Sequence, residues 1–297
     1  MSDEPGPIAG KFLKSLRQFR KRRDHDLADV IAGGRRAQAL QKTVANEKTL
    51  AGFHPAHAIY VYAQNQVSVL SEQITELPEL APFVGLIAPA EDEYMPGGPP
   101  MSPLTTSYFT CWAFFDAAFG RPHRETIGTC ILAMLRELDS PPDLIRVVEQ
   151  MQHSRMGLFV LEEQDGDVVV LRELRTDERR RCVAPSGHRG RPGELWYVRA
   201  LPPALDTDGP GVAFTTPHVI VRPGVDDWLA YLRRTLPKTG EADDRRAYES
   251  LLKYGLKSNY WNEYVFEACV NHTAGAICLA GLPDVAESRP HSRASRG

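Results

Sequence analysis

Cysteine is scarce in this chain: five among 297 residues, at positions 111, 130, 182, 269 and 278. An odd, widely scattered set excludes a disulfide framework and points to a reducing compartment. Long apolar runs are absent too. The longest, such as "CWAFFDAAF" at 111–119, falls far short of the roughly 20 residues a membrane-spanning helix needs. Near the N-terminus, Phe12, Leu13 and Leu16 are interrupted by lysines, so the apolar centre of a secretory signal is missing. These absences lead to the expectation of a cytoplasmic protein without a transmembrane segment.

The chain also lacks the common chemical signatures. It has no G-x-x-x-x-G-K-[ST] and no G-x-G-x-x-G, the two usual phosphate-cradling loops. It has no G-x-S-x-G nucleophile elbow. His54 and His57 form a His-x-x-His, but Pro55 sets it at a helix start and no glutamate completes a zinc-protease pattern. No internal repeat and no cofactor motif is present, so no cofactor is implied.

What the chain does contain is an ordinary globular balance, 42% apolar and 25% charged residues. Its length suits roughly two domains of about 150 residues. The formal charge of −3 is unevenly spread. Residues 11–23, "KFLKSLRQFRKRR", hold seven positive groups and no acid, which leaves −10 on the remainder. The result is a basic arm on an acidic body.

Periodicity divides the chain into four segments. Residues 1–48 read as a basic amphipathic arm: a frayed lead to residue 8, a helix from about Lys11 to Ile31 ended by Gly33 and Gly34, then a second helix from about Arg35 to Lys48. Residues 49–153 read as helical. "HPAHAIYVYAQNQVSVLSEQITEL" opens that segment, and "APAEDEYMPGGPPMSP" at 88–103 interrupts it as a Pro- and Gly-rich loop. An aromatic helix follows and ends at Gly120, with two more helices split at Ser140-Pro141-Pro142. Residues 154–223 change to strand period. "MGLFVLEE" and "DVVVLREL" flank Gln164-Asp165-Gly166, a tight-hairpin signal. "RRRCVAP", "ELWYVRAL" and "GVAFTTPHVIV" supply up to three further strands, with Pro217 at a break or an edge. Residues 224–297 return to helix, close on the short strand "AICLAG" and finish in a basic tail. The fold expected is α+β: helical N-terminal and C-terminal parts around a small antiparallel β barrel or sandwich.

Four places carry residues capable of chemistry. Arg175, Arg179, Arg180 and Arg181 surround a turn of the β segment, and His188, Arg189 and Arg191 follow in the glycine-rich "SGHRGRPG". Guanidinium forks match phosphate oxygens, glycines free backbone N–H groups, and Trp196 and Tyr197 offer stacking surfaces. The bland alternative is a solvated hairpin paired with Asp177, Glu178 and Glu194. Asp284 stands just after a strand end, with Arg289 as an anion clamp and His291 as an acid–base group; the alternative is a turn and a solvated tail. Asp116 lies inside the aromatic helix near Arg121 and His123, where a structural salt bridge competes with proton transfer. Cys269 and His272 share a helical face, with Cys278 and His291 further on. No Cys-x-x-Cys supports zinc there, so Cys269 is expected in the core and no metal site is assigned.

Three readings follow. The leading one is a binding or adaptor protein whose arginine-rich β module, with Arg289, holds nucleic acid or another polyanion. The second is a hydrolase or phosphate-handling enzyme centred on Asp284, Arg289 and His291. The third is a scaffold that meets a membrane surface or a protein partner through residues 11–31, unless that amphipathic helix docks its apolar stripe on its own acidic body. Geometry separates them: whether the guanidinium groups are already matched by carboxylates of the chain, and whether Asp284, Arg289 and His291 converge.

Overall fold

The computed structural model describes residues 5–21, 35, 38–39, 42, 45–74, 77–95, 103–120 and 124–290. The class is α+β, as expected from the sequence. The chain forms two compact units, one of Met1–Ile87 with Ala113–His153 and the other of Ala88–Trp112 with Ser154–Gly297.

The first unit is helical. It contains α1 (Pro7–Lys21), α2 (Glu47–Leu50), α3 (Pro55–Ile74), the first half of α4 (Ala81–Tyr94), α6 (Ile127–Glu137) and α7 (Pro142–His153). The N-terminal helix starts four residues earlier than its sequence suggests. The reason lies 117 residues away: Glu125, buried at 4% exposure, accepts hydrogen bonds from the backbone N–H of Ile8 at 2.9 Å and of Ala9 at 2.8 Å. A carboxylate there satisfies donors that a first helical turn leaves free and complements the helix dipole. Ala9, Phe12 and Leu13 are buried, and α1 packs on α6. Arg17 closes the contact by a bidentate bond to Glu137 at 2.9 and 2.8 Å. The apolar stripe is therefore docked on its own unit. Residues 22–31 lie outside the described residues, as do residues 36–37, 40–41 and 43–44 of the helix expected at 35–48. Thr126 caps α6 in a reciprocal box with Thr129, and its hydroxyl also donates to Gln152 on α7 at 2.8 Å.

Two expectations about this stretch are corrected. Residues 88–94 are helical, part of α4, with Pro89 inside the helix rather than ending it. The aromatic helix is shorter than read: α5 (Thr106–Cys111) passes into one π turn, Trp112–Asp116, and stops before Gly120. Its side chains Tyr108, Phe109, Trp112 and Phe115 are buried, as their all-round apolar pattern indicates.

The second unit is built on eight strands: β1 (Met156–Asp165), β2 (Val168–Glu173), β3 (Arg179–Val183), β4 (Leu195–Leu201), β5 (Gly211–Ala213), β6 (His218–Arg222), β7 (Cys269–Thr273) and β8 (Ala276–Ala280). The order is β1-β2-β3-β5-β4-β6-β8-β7, and β1 also pairs with β4, so the first five strands close into a barrel. The fold is thus the barrel and not the sandwich. Two of its pairings, β3–β5 and β6–β8, are parallel. Alternation decides what fills it. Val169 and Leu171 of β2 point inward with Phe159, Leu161, Cys182, Trp196 and Val198, while Val168, Val170 and Arg172 point out. Pro217 falls in the break between β5 and β6, so "GVAFTTPHVIV" makes two strands.

Helices α8 (Val225–Thr235), α9 (Asp244–Tyr254) and α10 (Tyr260–Ala268) complete this unit. Trp228, Tyr231, Leu232 and Thr235 recur at helical spacing and are buried on α8. Trp261 of α10 stacks on Tyr197 of β4 at 4.8 Å between ring centroids, with Trp228, Tyr231 and Tyr264 around it. The segment "CVNHT", read as the end of that last helix, is instead the edge strand β7, paired antiparallel with β8. The buried strand "AICLA" needs a partner on the side away from β6, and this pairing overrides helical propensity. Cys111, Cys130 and Cys182 are buried free thiols; Cys269 and Cys278 are free and partly exposed. Among the described residues no helix is long and apolar enough to cross a membrane.

His218 on β6 is fully enclosed. Its Nε2–H donates to the Pro103 carbonyl at 3.2 Å, and the Tyr108 ring meets it edge-on at 5.5 Å. Burial lowers its pKa from 6.5 to about 4, against the carbonyl bond, which raises it. Between these values the unfolded chain binds a proton that the fold refuses, so stability falls as pH drops. Denaturant titrations at pH 7 and pH 5 are expected to show about 2 kcal/mol more loss in the native chain than in a His218→Asn variant. Parallel losses in the two proteins would contradict this account.

Candidate functional site

The arginines singled out in the sequence gather on the β1-β2-β3 side of the barrel and at its two ends. Register explains which are neutralised. Arg172 on β2 lies opposite Arg179 on β3. On β1 an irregularity between Leu161 and Glu163 makes room for Glu162, which serves both. Arg172 Nε donates to Glu162 Oε1 at 2.9 Å, and Arg179 Nε to Glu162 Oε2 at 2.8 Å. The hydrogen bond from Arg179, with Arg172 behind it, holds Glu162 below the usual carboxylate range. Arg172 also reaches Asp177 at 2.8 Å. In the next row the cross-strand neighbours are Glu163, Val170 and Arg181. Arg181 is thus two strands from the carboxylate of its row, and among the described residues no ion pair joins the two.

The other expected binding residues follow the same logic. Arg175 binds Asp244 of α9 at 2.5 Å, beside a cleft of about 560 Å³ lined also by Thr176, Glu178 and Arg245. Arg180 binds Glu178 at 3.2 Å and the Ala200 carbonyl at 3.2 Å, with its guanidinium 5.9 Å from the Phe159 ring centre. Arg189 binds Asp167 at 3.0 Å. Arg181 and Arg191 are exposed, and no described carboxylate pairs with either. Over residues 162–194 there are seven arginines and eight carboxylates. The sequence pattern suggested guanidinium groups awaiting outside charge; the arrangement found over 162–194 is a nearly balanced surface on which Arg181 and Arg191 are unmatched among the described residues.

His188 does not face solvent. Its Nε2 lies 3.2 Å from Glu194 Oε2, its ring sits 5.5 Å from that of Trp196, and Trp196 Nε1 donates to the same Glu194 oxygen at 3.1 Å. The loop 184–194 is packed against the barrel end. A Cβ at Gly190 would fall 2.5 Å from Leu161 Cδ2, 2.7 Å from Glu194 Oε2 and 2.9 Å from Trp196 Cζ2, so these side chains would have to shift to admit one. Gly275, in the β7–β8 turn at φ +80°, would place a Cβ 2.5 Å from the Ser186 carbonyl oxygen.

Beneath the β2–β3 turn lies a buried ion pair that the sequence reading missed. Arg155 donates to Glu173 Oε1 at 2.8 Å, the Thr176 hydroxyl to Glu173 Oε2 at 2.7 Å, and the guanidinium lies over the Tyr248 ring at 4.7 Å. Burial pushes Glu173 up, but Arg155 and Thr176 outweigh it and hold the carboxylate below its ordinary range. Period-2 alternation on β2 was the available signal, because it turns Glu173 to the inside with Val169 and Leu171.

The second constellation is differently placed. Both oxygens of Asp284 accept from Arg234 of α8, at 2.6 and 2.8 Å. Arg289 is bound to Glu267 of α10. His291, Arg121 and His123 lie outside the described residues, and Asp116 is buried. The Cys–His stretch forms the hairpin β7–β8, so Cys269 and His272 do not share a helical face. Among the described residues, no group of three His, Cys, Asp or Glu side chains is arranged to hold a metal ion.

No protein-family model, curated protein or solved structure matches this chain. Function is therefore argued from the site.

Removing one partner of a buried ion pair leaves an uncompensated charge, at about 3–5 kcal/mol. Glu173→Ala is expected to lose that much in denaturant unfolding, and Glu162→Ala, on the exposed face, distinctly less. Equal losses from the two variants would refute the ranking.

Proposed function

We propose that the chain is a binding or adaptor protein that holds an anionic partner, of the phosphate-bearing or nucleic-acid kind, on the β2–β3 face of its barrel and the loop that follows it. The observation that carries the reading is the pair Arg181 and Arg191: exposed guanidinium groups with no carboxylate partner among the described residues, on a surface where their neighbours are matched. The matched ones remain exchangeable. Exposed ion pairs such as Arg179–Glu162 and Arg189–Asp167 contribute little to stability, so phosphate oxygens can replace those carboxylates at little expense.

Architecture supports the same face. Three hairpin-connected strands with the fourth beside the first make a Greek key, and the fifth strand closes it. Five-stranded Greek-key barrels that take oligonucleotides or oligosaccharides use the face of strands 2 and 3, with the loops that join strands 1 to 2 and 4 to 5. This is support by analogy of architecture, and the residues carry the argument. A cytoplasmic setting belongs to the reading and is supported by five free thiols.

The enzyme reading has less support, because Arg234 occupies both oxygens of Asp284. The scaffold reading is weakened in its membrane form, because Phe12 and Leu13 are buried within their own unit.

Fluorescence anisotropy with a labelled single-stranded oligonucleotide, repeated across a potassium chloride series, tests the proposal. Binding is expected to weaken linearly in log–log form, with a slope of about −0.7 per phosphate neutralised. Arg181→Ala/Arg191→Ala is expected to weaken binding and to flatten that slope by about 1 to 1.5. Absence of binding, or binding indifferent to both salt and substitution, would end the reading.

A further inference from the structure

We infer that Glu194 is a positioning residue that holds Arg191 ready for the anionic partner; the inference rests on the function proposed above. Arg191 projects from a loop that carries its own internal bracing. At one flank, the Gln164 side chain takes the Gly190 N–H at 2.8 Å and donates to the His188 carbonyl at 2.8 Å. At the other, Gly193 N–H donates to the Leu161 carbonyl at 2.8 Å and Leu161 N–H to the Glu194 carbonyl at 2.9 Å. Between them the loop is drawn into a ring by one carboxylate oxygen. Glu194 Oε2 is shared by His188 Nε2 at 3.2 Å and Trp196 Nε1 at 3.1 Å, six residues apart at one end and two at the other.

The chemistry suits that role. Trp196 is fully buried and anchored in the barrel interior, so its indole N–H is a fixed point. Glu194 links this point to His188, whose backbone also meets the β7–β8 turn. Arg189, on the way, is tied to the Gly166 carbonyl and to Asp167. Arg191 is the residue of this ring whose charge is left over. A guanidinium on a braced loop loses less conformational freedom on binding than one on a slack loop. Glu194 thereby acts on the partner through Arg191, without touching it.

The test combines a double-mutant cycle with amide exchange. With a labelled single-stranded oligonucleotide as probe, Glu194→Ala and Arg191→Ala are each expected to weaken binding about fivefold. The double variant should be no weaker than either alone, because both act through one guanidinium. Glu194→Ala and Arg181→Ala should instead multiply. Glu194→Gln, which keeps an acceptor oxygen for His188 and Trp196, should recover most of the affinity. Additive losses for Glu194→Ala with Arg191→Ala, or a Gln variant as weak as the Ala variant, would overturn the inference while leaving the binding face intact. Loss of effect at both Arg191 and Arg181 would instead count against the binding face itself. Hydrogen exchange supplies an arm independent of any probe. Glu194→Ala should speed exchange at Gly190 and Gly193 while β1 and β4 keep their protection, and unchanged exchange at those two glycines would overturn the bracing role.

Discussion

The pairing of β1 with β4 is the constraint on which the second unit depends. Met156 to Val160 lie opposite Arg199 to Leu195, and this ladder turns a meander of short strands into a closed barrel. Closure removes two free sheet edges at once. It also brings Trp196 into the interior, lays the loop that precedes β4 along the end of β1, and leaves the β2–β3 surface facing outward. A small slip in that ladder would disturb the hydrogen bonds between Leu161 and residues 193–194. The site is thus a by-product of how the barrel shuts.

Charge within the unit is sorted by depth. Inside, Glu173 and Arg155 meet in a fixed geometry with a hydroxyl and an aromatic face, so separating them is expensive. Outside, Glu162 serves two guanidinium groups in water, where each bond is worth little and salt screens it further. The same residue types therefore stabilise the fold in one layer and remain exchangeable in the other. This division lets a surface with nearly balanced charge still be read as a recognition face.

Much of the architecture was legible before any coordinates. The turn Asp165-Gly166 announced the β1–β2 hairpin, Pro217 announced a break, and the helices with Trp228, Leu229 and Leu232 at helical spacing fell where periodicity put them. What failed were features decided at long range. The first turn of α1 forms because Glu125 reaches it from more than a hundred residues away. "CVNHT" becomes a strand because β8 needs a neighbour. Pro89 is carried inside a helix that local rules would end. The arginine cluster was visible in sequence, but its neutralisation was not. Glu162 serves Arg172 and Arg179 only because a strand irregularity shifts the register by one residue, and Asp244 reaches Arg175 from a helix 69 positions later.

The seat of Gly275 against Ser186 and His188 joins two stretches nearly ninety positions apart in the chain. A hairpin tip without a side chain there lets one backbone lie on another with almost no space between. The C-terminal ribbon and the arginine-bearing loop are therefore mechanically continuous, and lengthening the ribbon by even one residue at its tip would be felt where Arg191 emerges.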